Sequence, residues 1–321
     1  MRYEKYWIME SEVNTLYNQS RYKEALTILE KSSEYLVQDE YKKYEFNIRT
    51  SKAIFYCLEK MFEEALNIME PLVSEGLACD NDIFEMLPMK ESIRYINLKE
   101  KNNINLEKAR KEAKSKSKSK FIVHTPKDYT SEKKYPLVIA LHGDPGSIDE
   151  FSQYWKPEEL LTNDFIFAYI QSSQLLIQHG YGWTGNLLIS RNEIRECYKL
   201  ISEQYSIDHG CVLIGGFSGG AMAAMEVTMC DDIPVKGFIA LGPGLTESFN
   251  KESVRLASKR GVKAVLLEGE VIVHSSELED IINTFEEIGL SYKFIVNEGI
   301  GHAVPRDLSC KLSEAIKFIC N

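Results

Sequence analysis

The chain has 321 residues, 44% of them apolar and 27% charged. That is a globular composition, and the length suits about two domains. With 48 acidic residues against 38 Lys and Arg, the formal net charge is −10, which argues against a general nucleic-acid-binding surface.

The first residues carry charges and no apolar run of signal-peptide length, so no secretory leader is expected. No stretch is long and apolar enough to span a bilayer, so no membrane association is expected. The cysteines are Cys57, Cys79, Cys197, Cys211, Cys230, Cys310 and Cys320, an odd number without CxxC spacing. Neither a disulfide framework nor a structural zinc site is expected, and the cytoplasm is the expected compartment.

Residues 1–115 read as an all-helical domain. Gly76 is the only glycine before Gly143. Tyr22-Lys-Glu-Ala-Leu-Thr-Ile-Leu-Glu30 places Ala25, Leu26 and Leu29 on one helical stripe. Phe62-Glu-Glu-Ala-Leu-Asn-Ile-Met-Glu70 repeats the aromatic, Glu, Ala, Leu, Ile and Glu positions forty residues later. Further helices are expected over 4–18, 40–59 and 90–113, and Pro71 is expected to mark a kink or a new start. The pattern resembles a tetratricopeptide-type pair. A plain helical bundle packed on a neighbouring domain is the competing reading. The resemblance implies a protein partner or self-association through this domain.

Residues 108–120 hold seven basic side chains and one acidic one. They read as a solvated helix end followed by a linker, because Ser-Lys alternation has no apolar face to pack. The expected boundary falls here, giving domains 1–115 and 116–321.

Beyond it, short apolar runs alternate with amphipathic stretches. Strands are expected at 121–125, 137–141, 165–170, 212–216, 237–241, 264–267 and 292–296. Helices are expected at 190–205, 219–229, 250–260, 275–288 and 308–320. The fold class is therefore α/β, a mostly parallel sheet covered by helices on both faces, preceded by an all-α domain. Functional groups are expected at the C-terminal ends of the strands.

The strongest motif is Gly216-Phe217-Ser218-Gly219-Gly220 between an apolar run and a helical one. In that context a GxSxG sequence makes a sharp turn with Ser218 raised above the sheet as a nucleophile. A serine hydroxyl needs a base. His302, in Gly299-Ile-Gly301-His302-Ala-Val-Pro305, follows the last expected strand and lies 84 residues after the serine. Leu141-His142-Gly143-Asp144-Pro145-Gly146 should form the oxyanion loop, the amides of Gly219 and Asp144 facing the developing charge. His142 is expected to brace that loop. The Asp144 carboxylate is expected to cap the turn with Pro145 and Gly146, pointing away from the oxyanion. Histidines 124, 179, 209 and 274 are read as non-catalytic. HExxH and HxH spacings are lacking, so no metal and no cofactor are expected.

These residues resemble an α/β-hydrolase of the compact esterase type, near the phospholipase/carboxylesterase and dienelactone-hydrolase branches. The likeness rests on Leu141-His142-Gly143, the Gly216–Gly220 pentapeptide, and Gly301-His302 with Pro305, over residues 121–321. It implies an acyl-enzyme mechanism on a small-molecule ester, with Trp183 and Phe217 at the substrate pocket. Relatives carry the triad acid in a Gly-x-x-Asp segment where this chain has Gly269-Glu270-Val271-Ile272. Ile272 takes the place of the Asp. Glu270 is the expected substitute, Glu268 standing one residue too early and Glu247 being the fallback. The missing Asp keeps a second reading open, an interaction module on a weakly active or inactive hydrolase scaffold. Thioesterase or aminopeptidase-like activity is a third.

Overall fold

The computed structural model describes all residues except 1–2, 117–119, 159 and 161–163. The chain forms two compact units. One comprises Met1–Lys116 together with Leu175–His179 and Ile300–Ala303, the other Ser117–Gln174, Gly180–Gly299 and Val304–Asn321.

The first unit carries α1 (Tyr6–Asn18), α2 (Tyr22–Glu30), α3 (Ser32–Tyr35), α4 (Gln38–Lys43), α5 (Glu45–Leu58), α6 (Phe62–Ser74), α7 (Asn81–Met86) and α8 (Ile93–Lys116). The internal repeat is α2 and α6. Ala25 and Ala65 are fully buried in equivalent places, and Leu26 with Leu66 and Leu29 with Met69 are buried likewise. The small alanines let each helix approach its neighbour closely. Tyr22 meets Phe55 of α5 edge-on, with ring centroids 6.4 Å apart.

Three expectations are corrected in this unit. The single helix over 40–59 is two, because Tyr44 leaves helical geometry between α4 and α5. Of the two expectations for Pro71, the new start is overturned. The proline lies inside α6, which runs on to Ser74. α8 runs to Lys116, past the expected end at 113, and the expected linker falls partly on 117–119, outside the described residues. Buried asparagines on α8 finish the segment after α6. The Asn105 amide donates to the carbonyls of Val73 and Leu77, and Asn102 pairs with the Cys79 main chain through both of its polar atoms. Buried carbonyls at a helix end require such donors.

The second unit contains β1 (Lys120–His124), β2 (Tyr135–Leu141), α9 (Ile148–Phe151), β3 (Ile166–Gln171), β4 (Leu175–Ile177, grouped with the first unit), β5 (Gly180–Tyr181), α10 (Leu187–Gln204), β6 (Ile207–Phe217), α11 (Gly219–Met229), β7 (Val235–Leu241), α12 (Lys251–Lys259), β8 (Lys263–Gly269), α13 (Ser276–Ile288), β9 (Tyr292–Asn297) and α14 (Leu308–Cys320). Seven strands form one sheet in the order β1-β3-β2-β6-β7-β8-β9. β1 runs antiparallel to β3 and the other pairs are parallel. This is the expected α/β class, a mostly parallel sheet flanked by helices. The central strands are apolar runs buried almost end to end, as a sheet covered on both faces demands.

The strand order reverses between β2 and β6. Earlier strands continue on one side of β2 and later ones on the far side of β6. The register pairs Leu141 with Gly216, so the loops leaving β2 and β6 emerge side by side at the switch point. That crevice is where α/β sheets bind ligands.

Candidate active site

Ser218 sits on the turn between β6 and α11, at φ 54° and ψ −119°. A non-glycine residue there costs about 1–3 kcal/mol and persists only when its surroundings force it. Three restraints do so. The Ser218 N–H donates to the carbonyl of Leu241 at 2.8 Å, and the Ser218 carbonyl accepts from Met222 at 3.0 Å. Gly216 and Gly220 remove the side chains that would block the turn. A Cβ on Gly220 would stand 2.3 Å from the carbonyl oxygen of His142, and one on Gly216 would stand 2.6 Å from that of Leu141. The two loops therefore touch main chain to main chain. The start of α11 adds N–H groups without intrahelical partners and a field favouring negative charge.

His142 braces the neighbouring loop as expected from its place after β2. It is buried, with Nδ1 2.8 Å from the Gly143 carbonyl oxygen. Its Nε2 lies 2.9 Å from the Gln171 amide nitrogen and 3.2 Å from the Ser172 main-chain nitrogen. The network assigns the proton to Nδ1, which donates, while Nε2 accepts twice. Burial pushes the imidazole down to about 4, so it is neutral at pH 7.

The Asp144 side chain is placed differently from the expectation. It does not cap the turn with Pro145 and Gly146. Its carboxylate accepts the Trp183 N–H at 2.9 Å and the Thr184 N–H and hydroxyl at 2.8 Å. It also packs against Gly219, where a Cβ would fall 2.2 Å from the carboxyl carbon. Burial raises its pKa, while those donors stabilise the ionised form. The partners lie some forty residues downstream, beyond what turn chemistry in a local sequence can indicate.

Trp183 lies beneath the same loop. The resemblance implies a pocket wall, but the side chain is wholly buried. Its indole N–H donates to the His142 carbonyl at 2.9 Å, and the two rings lie 5.0 Å apart. Trp183 is a strut under the β2 loop. Phe217, half-buried, lies against Gly143, where an added Cβ would meet its ring at 3.1 Å. The structure thus brings Gly219, Asp144, Trp183 and the β2 loop together around the Ser218 turn.

Past Gly269 the chain enters a single 3-10 turn, Glu270–Ile272. The exposed Glu270 carboxylate accepts the N–H of Gly299, the residue that opens the histidine loop, at 2.8 Å. Glu268 is buried at the end of β8 and accepts the N–H of Gly269 at 2.9 Å. Burial pushes its carboxyl up to about 7.

His302 belongs to the short segment grouped with the first unit. Its main-chain N–H donates to Asn18 Oδ1 at 2.8 Å, and the Gly301 N–H donates to Thr15 Oγ1 at 3.2 Å. Burial lowers the His302 pKa, which favours the neutral imidazole. Nothing in the sequence singles out Asn18 and Thr15. They stand more than 280 residues from their partners, and no local pattern marks them.

Among the described residues, no group of three or more His, Cys, Asp or Glu side chains could hold a metal ion, and no helix is long and apolar enough to cross a membrane.

No protein-family model matches the chain, and no curated protein matches it. Solved structures do. An uncharacterized protein from Bacillus cereus ATCC 10987, known from a crystal structure, matches over 98% of both chains at 24% identity, with a TM-score of 0.53. A ferulic acid esterase matches 64% of this chain and 93% of its own, at 15% identity and a TM-score of 0.52. The dipeptidyl peptidase 4 of Porphyromonas gingivalis matches 63% of this chain and 33% of its own, at 14% identity and a TM-score of 0.51. At these identities the likeness is one of fold. The chain has an α/β-hydrolase-like core preceded by an all-helical N-terminal region, distantly related to structures of esterases and other hydrolases.

Proposed function

We propose that the chain is a serine hydrolase cleaving carboxylic esters through an acyl-enzyme, with this chemistry in a domain spanning 116–321. The observation that carries the reading is Ser218 in a strained turn at the switch point of the sheet, at the N-terminus of α11. A hydroxyl on such a turn is presented to substrate rather than packed into the sheet.

Ser218 Oγ attacks the acyl carbon while its proton passes to His302. The carbonyl π electrons move onto oxygen, where the Gly219 and Asp144 amides stabilise the charge. Collapse of the tetrahedral intermediate expels the alkoxide, which takes the proton from His302, and leaves Ser218 acylated. Water, deprotonated by His302, then releases the acid and restores the serine. Glu270 orients the imidazole and stabilises its cationic form. Phe217 lines the substrate side. The lowered pKa of His302 supports its role as base, because the neutral form predominates at working pH.

The test is labelling with a fluorophosphonate probe. The wild-type chain should label at Ser218, S218A should not label, and H302A should label far more slowly. A chain that is folded but inert to the probe and to aryl esters would overturn the proposal in favour of a non-catalytic scaffold.

A further inference from the structure

We propose that the helical region is part of the catalytic apparatus: Thr15 and Asn18, on the last turn of α1, position the loop that carries His302. The inference rests on the reading of His302 as the general base.

The histidine loop has no ladder to fix it. Its amides are held by side chains instead. Glu270 accepts from Gly299, Thr15 from Gly301 and Asn18 from His302 itself. Thr15 and Asn18 are three residues apart, so they share one face of α1. The Thr15 hydroxyl proton is committed to the Ser11 carbonyl at 2.8 Å, which turns an oxygen lone pair toward the Gly301 N–H. Asn18 offers an amide oxygen to the next N–H, at the shorter distance of 2.8 Å. Two consecutive donors from the loop thus meet two acceptors from one helical turn.

Gly301 is shaped to this contact. A Cβ there would stand 2.3 Å from Asn18 Oδ1 and 2.9 Å from Asn18 Cβ. Ile300–Ala303 accordingly groups with the helices into one compact unit. Fixing both amides constrains the main chain on either side of the His302 Cα, and so the direction in which the imidazole leaves it. A general base works only within hydrogen-bond reach of the proton it takes, and small misplacements are costly. Thr15 and Asn18 are positioning residues on this account, because each acts on the main chain and leaves the proton transfer to the ring.

The experiment uses the full chain with N18A, N18D and T15V. Amide hydrogen exchange of residues 299–303 is measured alongside p-nitrophenyl acetate hydrolysis across pH. For N18A, exchange at the His302 amide should quicken about tenfold, as loss of one hydrogen bond predicts. The kcat should fall by about the same factor with KM within about twofold, since substrate contacts are untouched. T15V should quicken exchange at Gly301. N18D keeps an acceptor oxygen and should restore protection. It also brings a negative charge near His302, which favours imidazolium, so the acid limb of kcat/KM should move to higher pH. That shift reports that residue 18 stands near a titrating His302, while the kcat-against-KM split in N18A reports positioning.

Unchanged exchange in N18A would overturn the anchor. Faster exchange with unchanged kcat in N18A and T15V would overturn its catalytic role. A wild-type chain inert to ester and probe alike would overturn the reading of His302 as base, and the catalytic role with it. Exchange in the same samples would still report whether α1 holds the loop, so the two failures are told apart.

Discussion

Replacing Glu268 with Gln should change how stability responds to pH, in a direction fixed by burial. Glu268 is 3% exposed and its carboxyl is pushed up to about 7. A raised carboxyl binds its proton more tightly in the folded chain than in the unfolded one. Its contribution to stability is therefore fully present below about pH 4.5 and lost as pH rises through about 7. At pH 7 the loss is about 3 kcal/mol, from about 1.4 kcal/mol for each pH unit that separates the unfolded and folded pKa, with the folded carboxyl half ionised. E268Q cannot ionise, yet it keeps an oxygen to accept the Gly269 N–H. The stability difference between variant and wild type should then shrink, relative to its value at pH 7, by about 2–3 kcal/mol on acidification to pH 4.5.

The measurement is urea unfolding between pH 4.5 and 8, followed by tryptophan fluorescence in a W7F background, where the buried Trp155 and Trp183 report on the second unit. Taking the difference removes groups common to both chains. One of these, His142, matters because its sign is opposite. With its folded pKa near 4, it contributes stability above about 6.5 that is lost as pH falls through 4, about 3 kcal/mol in all. In the wild type the two contributions largely offset each other across the acidic range. In E268Q the acid loss from His142 should stand bare. A stability difference constant within about 0.5 kcal/mol from pH 4.5 to 8 would refute the burial argument for Glu268.

E270Q keeps an acceptor for the Gly299 N–H and removes the charge. It should preserve the fold and lower kcat by about 10²–10⁴-fold on an aryl ester, whereas E268Q should leave kcat near wild type. Full kcat in E270Q would remove Glu270 as the orienting acid. At the far end of the sheet, Cys320 lies 3.8 Å from Cys211, sulfur to sulfur. Either thiol can donate in this contact; donation from Cys211 stabilises the Cys320 thiolate, and the ammonium groups of Lys236 and Lys263 add to the effect, lowering Cys320 to about 7. Iodoacetamide at pH 7.4 should therefore modify Cys320 faster than Cys211, whose own pKa is raised, and mass spectrometry of timed digests would show equal rates if this is wrong.

What the sequence makes legible is local. All seven strands of the main sheet stand where apolar runs predict them, and α11 begins and ends where its pattern does. Ser218 is visible because a GxSxG pentapeptide between a strand and a helix has few other solutions. β4 and β5 are not, because three and two residues leave no room for a period. Pro71 leaves a new helix start open because its missing N–H and rigid ring disfavour a helix interior, whereas α6 carries it through. Resemblance assigns Trp183 to a pocket wall, but its indole N–H finds the His142 carbonyl and the ring goes inward. Asp144 has the composition of a turn cap, yet three donors at Trp183 and Thr184 outcompete the local turn. For both side chains a partner distant in sequence decides the outcome, and periodicity has no access to such partners.

The two histidines of the candidate site show why a lowered pKa alone does not identify a base. Burial moves both in the same direction. His142 commits both ring nitrogens, one to a carbonyl and one to two donors, so its imidazole is a structural bracket whose protonation would break the β2 loop. The restraint on His302 from Asn18 acts through the main chain and draws on neither ring nitrogen. A ring committed at both nitrogens, as that of His142 is, has no lone pair to offer, whereas an anchor on the main chain leaves the ring nitrogens out of account. On the proposed reading of His302 as base, the side chains of α1 hold the amides of its loop and act on the main chain alone.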